Sequence, residues 1–297
     1  MIDIIIIGSG PSGLTAGIYA LRGGASVVCF EKSFVGGQTA RLNEIANFPS
    51  YTQINGYDLT QKMFEQATKL GLEMKYEEVT SVLADGKNYI VKTNKQDYAC
   101  SCVIIATGAT YATLGIEQNY IGRGAHYCAT CDGAFYRNKT VALVGNNKIA
   151  ISDAIYLSNI VKKLYFIYKG DKQKSENFLS PLNRENIEII YNATPTKIIG
   201  EKVEKIVLKD NVTNLTSTID IDGLFVNVGT TALTGFVANT INVNNGRIIV
   251  DANMATSKGG IFACGDCIDK HLMQIVTACA DGAVAGESAL SYLRLNK

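Results

Sequence analysis

The sequence has no excess of charge of either sign. Across 297 residues, 28 Lys and Arg stand against 27 Asp and Glu, a formal net charge of +1. Proteins that coat nucleic acid draw affinity from a basic excess, so no nucleic-acid partner is expected. Long apolar runs are missing too. Ile4–Ile7 and similar runs fall far short of the roughly 20 residues a membrane span needs, so no membrane association is expected. No basic segment precedes an apolar one at the start, which predicts no secretory leader and a cytoplasmic location. Eight Cys are too few and too scattered for a disulfide scaffold in a chain of this length. Only two His are present, His126 and His271, and neither has a partner that the sequence can name. Proline is scarce, with 4 residues against 28 Gly, and Gly-rich turns among β-branched residues lean towards α/β. What is abundant is apolar: 47% hydrophobic against 19% charged residues is enough for a sizeable core and argues against disorder.

Periodicity divides the chain into two similar stretches. Residues 2–7 are a continuous apolar run ending at Gly8, the pattern of a strand buried on both faces. Residues 12–23 have helical spacing and stop at Gly23-Gly24, and residues 26–31 read as a second strand. A helix is expected at 57–70, with strands at 89–93 and 98–106. The same plan returns as a strand at 140–144, a helix at 149–161 and a strand at 164–168. A further strand near 224–228 ends at Gly229, and a last helix is expected over about 274–293. This is an internal repeat of a nucleotide-binding unit, not a short-period solenoid. One domain is placed at 1–108 with 232–297, and a second, 109–231, is inserted between.

Three motifs carry chemistry. Gly8-Ser9-Gly10-Pro11-Ser12-Gly13 lies between a strand and a helix. Gly8 permits the tight turn, Gly10 lets backbone approach a pyrophosphate, and Gly13 lets helix pack close on strand. The helix N-terminus offers N–H groups to phosphates. Glu31 ends the next strand, where an acidic residue takes a ribose hydroxyl pair and repels a 2′-phosphate. The second motif is Cys128-Ala129-Thr130-Cys131-Asp132, with the spacing of a redox dithiol. Asp132 could move protons during thiol exchange, or be only a solvated turn carboxylate. A zinc site would need more ligands, such as Cys264 and Cys267, and no metal is expected. The third motif, Gly265-Asp266, follows a strand and precedes a helix. Cys29, Cys100, Cys102 and Cys279 read as packing or surface residues.

Taken in order, these pieces resemble the low-molecular-weight thioredoxin reductases over nearly the whole chain. Gly36-Gly37-Gln38, Asn47-Phe48-Pro49, Ala106-Thr107-Gly108 and a segment around Gln274 add to the likeness. The resemblance implies two Rossmann-like, three-layer ββα domains, FAD as cofactor, thioredoxin as partner and a homodimer. It implies that Gly8, Gly10, Ser12 and Gly13 hold the pyrophosphate of FAD and Glu31 its adenosine ribose. Gln38, Asn47, Thr107, Gly108, Asp266 and Gln274 join that cofactor set. Cys131 takes electrons from the flavin, Cys128 attacks the protein disulfide, and Asp132 is the acid–base. Hinges are implied near 108–112 and 229–235.

The inserted domain departs from the family pattern. The family's Gly-x-Gly-x-x-Ala loop for NADPH reads Gly145-Asn146-Asn147-Lys148-Ile149-Ala150, so Asn147 replaces the middle Gly. The family's His-Arg-Arg run for the 2′-phosphate reads Tyr168-Lys169-Gly170-Asp171, followed by Lys172 and Lys174. Lysine does not replace the planar fork of arginine. After Gly229 the usual Pro-Asn is Thr230-Thr231-Ala232. This pattern resembles the ferredoxin-dependent flavin thioredoxin reductases, which implies ferredoxin as electron donor. The alternatives are NADPH-dependent thioredoxin reduction, with the lysines as point charges, and an oxygen-using oxidase of small dithiols. A FAD-binding redox sensor without turnover is a further alternative.

Overall fold

A computed structural model describes residues 1–42 and 44–296. The chain forms two compact units, Met1–Thr110 with Thr231–Lys297, and Tyr111–Thr230. The first opens with β1 (Ile2–Ile7), α1 (Pro11–Arg22) and β2 (Val27–Glu31), and β1 runs parallel to β2. The apolar run of β1 has no polar face because neither face meets water. Ile4 and Ile6 join one buried cluster with Leu14 and Ile104, while Ile5 and Ile7 join another with Val103 and Val237. Side chains alternate across a strand, so four consecutive isoleucines feed both cores.

Next come α2 (Gly56–Lys69), β3 (Glu73–Tyr76), β4 (Val79–Asp85), β5 (Asn88–Thr93) and β6 (Asp97–Ile105). Asn55 caps α2 by accepting from Tyr57 N, a helix start that its side chain favours. The sheet order is β3-β2-β1-β6-β5-β4. Its β1 and β6 are parallel, and β4, β5 and β6 are antiparallel.

After β7 (Ala109–Tyr111) the second unit contains β8 (Ala125–His126), α3 (Ala129–Asp132), β9 (Thr140–Gly145), α4 (Lys148–Ser158), β10 (Lys163–Ile167), α5 (Lys172–Leu179) and β11 (Ile187–Ile190). An antiparallel sheet of β12 (Ala193–Ile199), β13 (Lys205–Asp210) and β14 (Thr216–Asp220) follows, and then β15 (Gly223–Asn227). The parallel sheet has the order β11-β10-β9-β15-β8. Alternation in β9 again serves two cores. Val141 and Leu143 meet Ala154 and Leu157 of α4, and Ala142 and Val144 meet Ile198, Ile206 and Leu208 of the antiparallel sheet. The result is three layers, ββα, as the family resemblance implies.

The chain returns through β16 (Thr230–Ala232), which pairs with β7. A small pair, β17 (Val243–Asn244) and β18 (Arg247–Ile248), precedes β19 (Ile261–Ala263) and α6 (Ile275–Asn296). β19 pairs in parallel with the end of β6. Ala285, Ala289 and Leu293 of α6 share a core with Leu14, Ala16 and Ala20 of α1. Among the described residues, no helix is long and apolar enough to cross a membrane.

Candidate active site

The turn from β1 to α1 is shaped by what glycine permits. Gly8 has φ +105°, and a Cβ there would lie 2.4 Å from the carbonyl oxygen of Ala106. A Cβ on Gly13 would lie 1.9 Å from the carbonyl oxygen of Gly8, so helix and strand approach as closely as backbone allows. Gly10 differs: a Cβ there would meet nothing within 4 Å. Space lies open over the start of α1, and no side chain caps that helix. Its first-turn N–H groups and positive dipole end are therefore offered to an anion. Glu31 is tied to this turn. Its Oε2 accepts from Ser9 N (3.1 Å) and Ser9 Oγ (2.8 Å), and its Oε1 accepts from Ser33 N (2.9 Å).

The other expected cofactor residues belong to the same unit. Ser12 is buried in the first turn of α1. Gln38 is exposed on a short helical turn, Gly37–Arg41. Asn47 Nδ2 donates to Gln274 Oε1 at 3.1 Å, joining residues 227 positions apart. Thr107 Oγ1 donates to Leu233 O at 2.8 Å, and Gly108 follows with φ +66°. Asp266 follows β19. Its backbone carbonyl accepts from Arg247 Nη1 at 2.5 Å, and Lys270 Nζ stands 3.4 Å from Oδ1 and 2.7 Å from Asp281 Oδ2. Asp266 Oδ1 is buried and has no hydrogen bond among the described residues. Burial raises the pKa of this carboxyl, and Lys270 opposes the rise. Cys264 and Cys267 are fully buried, and burial raises both thiol pKa values, as befits packing residues rather than nucleophiles.

The second unit carries the dithiol. Cys128 and Cys131 are joined in a disulfide at the start of α3, with Cα atoms 5.3 Å apart. Cys131 N donates to Cys128 Sγ at 3.2 Å. Asp132 is not a solvated turn carboxylate. Its side chain is 21% exposed, and its Oδ2 lies 3.1 Å from His126 Nδ1. His126, which the sequence left without a partner, also meets Tyr136 Oη through Nε2 at 2.7 Å. Neither contact is visible in the sequence, because no motif spacing announces it. Tyr127, just before Cys128, donates to the buried Glu117 (2.9 Å) and stacks on Tyr111 at 5.0 Å.

The second glycine-type turn, from β9 to α4, is built differently. Asn147 is the N-cap, and its Oδ1 accepts from Ala150 N at 2.9 Å. Its Nδ2 donates to Asn227 O at 3.1 Å. Asn227 in turn donates to Asp153 Oδ2 at 2.6 Å. Burial raises the pKa of Asp153. At the end of β10, Lys169, Lys172 and Lys174 are exposed, but Asp171 stands among them. Its carboxylate caps α5 by accepting from Gln173 N (2.9 Å) and Lys174 N (3.3 Å).

A model of the pyridine nucleotide-disulphide oxidoreductase family matches residues 2–282. The thioredoxin reductase of Bacillus subtilis is 37% identical over 299 residues, covering 98% of this chain and 94% of its own. The crystal structure of thioredoxin reductase from Streptococcus pyogenes is 36% identical with a TM-score of 0.92, covering 99% of both chains. A ferredoxin-flavin thioredoxin reductase from Clostridium acetobutylicum is 31% identical with a TM-score of 0.56, covering 99% of this chain and 98% of its own. The chain therefore belongs to the pyridine nucleotide-disulphide oxidoreductase family and, within it, to the low-molecular-weight thioredoxin reductases.

Proposed function

We propose that this flavoprotein passes electrons from reduced ferredoxin, through FAD and the Cys128–Cys131 disulfide, to thioredoxin. FAD fits the first unit on three counts: the uncapped start of α1, the open space over Gly10, and the buried Asp266 Oδ1, which has no hydrogen bond among the described residues and Lys270 Nζ at 3.4 Å. When bound, FAD supplies the link between one-electron and two-electron chemistry. Gly8, Gly10, Ser12 and Gly13 hold its pyrophosphate, Glu31 its ribose, and Gln38, Asn47, Thr107, Gly108, Asp266 and Gln274 its remainder. Cys131 accepts the electrons, Cys128 attacks thioredoxin, and Asp132 moves the accompanying proton.

The choice of donor rests on one observation: the Asn147 carboxamide occupies the N–H of Ala150, where a pyrophosphate would bind. The carboxylate of Asp171, at the start of α5 just after β10, adds repulsion for a phosphate there. An anion arriving there would have to displace a satisfied cap, which in helices is worth about 1 kcal/mol. Two such helix starts, those of α4 and α5, are closed in this way. The partner protein is met as a homodimer in the cytoplasm on this reading.

Anaerobic titration of the yellow protein tests it. Reduced ferredoxin is expected to bleach the flavin band within seconds, while NADPH and NADH leave it unchanged. Bleaching by micromolar NADPH would overturn the ferredoxin reading in favour of the ordinary NADPH-dependent one.

A further inference from the structure

We propose that His126 is a positioning residue for the dithiol chemistry, holding the carboxylate of Asp132, the residue that directly follows Cys131. The inference rests on the reading of Asp132 as the acid–base group. His126 is placed by β8, where its backbone is in register with Phe225 of β15. Phe225 stacks on the imidazole, with ring centroids 5.3 Å apart. The ring is thereby held at both faces of its chemistry, with Asp132 at Nδ1 and Tyr136 at Nε2.

A neutral ring satisfies both contacts in one tautomer only. Nδ1–H donates to the Asp132 carboxylate, and the Tyr136 hydroxyl donates to Nε2. Burial pushes Tyr136 up to about 12, so this hydroxyl keeps its proton across the working range. When the ring is protonated, the Tyr136 hydroxyl turns and accepts from Nε2–H, and Asp132 keeps its donor. The charged and titratable groups facing this chain are Asp132 on α3, Tyr136 just beyond it, Asp222 near Tyr136, and Lys139, whose Nζ lies 5.7 Å from the Tyr136 ring.

The chemistry needs such a fixed carboxylate. Breaking the Sγ–Sγ bond takes two electrons, which the reduced flavin would supply, and one proton, and it leaves one thiol and one thiolate. Asp132 delivers that proton. When the Cys128 thiolate then attacks thioredoxin, a disulfide re-forms in this chain, and the proton leaves on a thioredoxin sulfur. A carboxylate that swings freely would serve neither transfer well, since general acid–base catalysis needs hydrogen-bond reach. His126 restricts that swing by the donor it supplies.

The test is single-turnover reduction of oxidised thioredoxin by the dithionite-reduced FAD holoenzyme, followed from pH 5.5 to 9. His126→Phe is expected to slow the step about tenfold, a modest share of what an acid–base group contributes. His126→Asn keeps an N–H donor and is expected to recover most of the rate. In an Asp132→Asn background, His126→Phe is expected to have no further effect. If Asp132→Asn is slow but His126→Phe runs at the parental rate with the parental pH profile, the inference falls and the Asp132 reading stands. A parental rate in Asp132→Asn would overturn both. An equal slowing by His126→Phe with and without Asp132 would also overturn the inference. Should His126→Phe not fold, as judged by its melting curve and flavin spectrum, His126→Ala takes its place, and a parental rate in that variant overturns the proposal.

Discussion

The two strand–turn–helix units of this chain start from one plan and end as opposites. In both, a parallel strand buried on two faces runs into a turn and then a helix. In the first, Gly10 stands at the N-cap, no side-chain cap is made among the described residues, and a Cβ on Gly10 would meet nothing within 4 Å. In the second, Asn147 stands at the N-cap and satisfies an N–H of its own helix. The first helix start keeps its donors for a ligand, and the second spends them internally. Fold and ligand are thus separable here. The packing that makes the layer survives in both units, while the few atoms that would meet a phosphate differ.

The sharpest way to break the comparison is to exchange the third positions of the two turns. Gly13→Ala places a methyl 1.9 Å from the Gly8 carbonyl oxygen, backbone that cannot yield without moving strand or helix. It is expected to cost about 3 kcal/mol or more and to yield protein with little bound FAD. Flavin absorbance per chain and a melting curve would read this. The converse, Ala150→Gly, is expected to cost only about 1 kcal/mol, as for any Gly in a helix. Equal effects of the two exchanges would mean that the turns are not built differently.

A smaller effect is expected from Asn147→Ala. Loss of the cap should lower stability by about 1 kcal/mol, roughly 2–4 °C in melting temperature. Flavin content should not change. A variant as stable as the parent would show that the Asn147 cap contributes nothing.

The smallest effect concerns Asp153. Its pKa is raised by burial, so in the folded state the ionised form is disfavoured. The sign follows from linkage: the folded state binds the proton more tightly, so stability from this group is present at low pH and lost as pH rises through the folded pKa. Asp153→Asn keeps an acceptor for Asn227 without the charge. It is expected to raise the melting temperature by roughly 1–2 °C at pH 7 and to leave it unchanged at pH 3. A gain that is equal at both pH values would contradict burial as the cause.

Much of the fold was legible because the responsible signals are local. The helix expected at 57–70 is Gly56–Lys69, and the strand expected at 140–144 is Thr140–Gly145. Strand burial on both faces leaves an unbroken apolar run, and Gly at the strand end marks the turn. The antiparallel sheet β12–β14 was not foreseen. Its buried residues, such as Ile198, Ile206 and Leu208, alternate with exposed lysines, such as Lys197, Lys205 and Lys209. Such short, half-polar strands give a weak pattern until a neighbouring sheet shows which face is covered. The dithiol was legible from spacing alone. The environment of Asp132 was not, since it depends on a histidine six residues upstream whose orientation β15 sets through Phe225.

The amino-acid sequence alone determined the things that backbone and covalent spacing control. Two repeated strand–turn–helix units, the glycines that let the first turn close, and two thiols three residues apart all follow from local order. Only the tertiary structure decided which donors remain free. Asn147 meets Asn227 across 80 residues, and Asn227 meets Asp153 across 74. A hydrogen-bond partner that distant is chosen by how strands and helices stack, and a polar group's availability depends on whether such a partner already holds it.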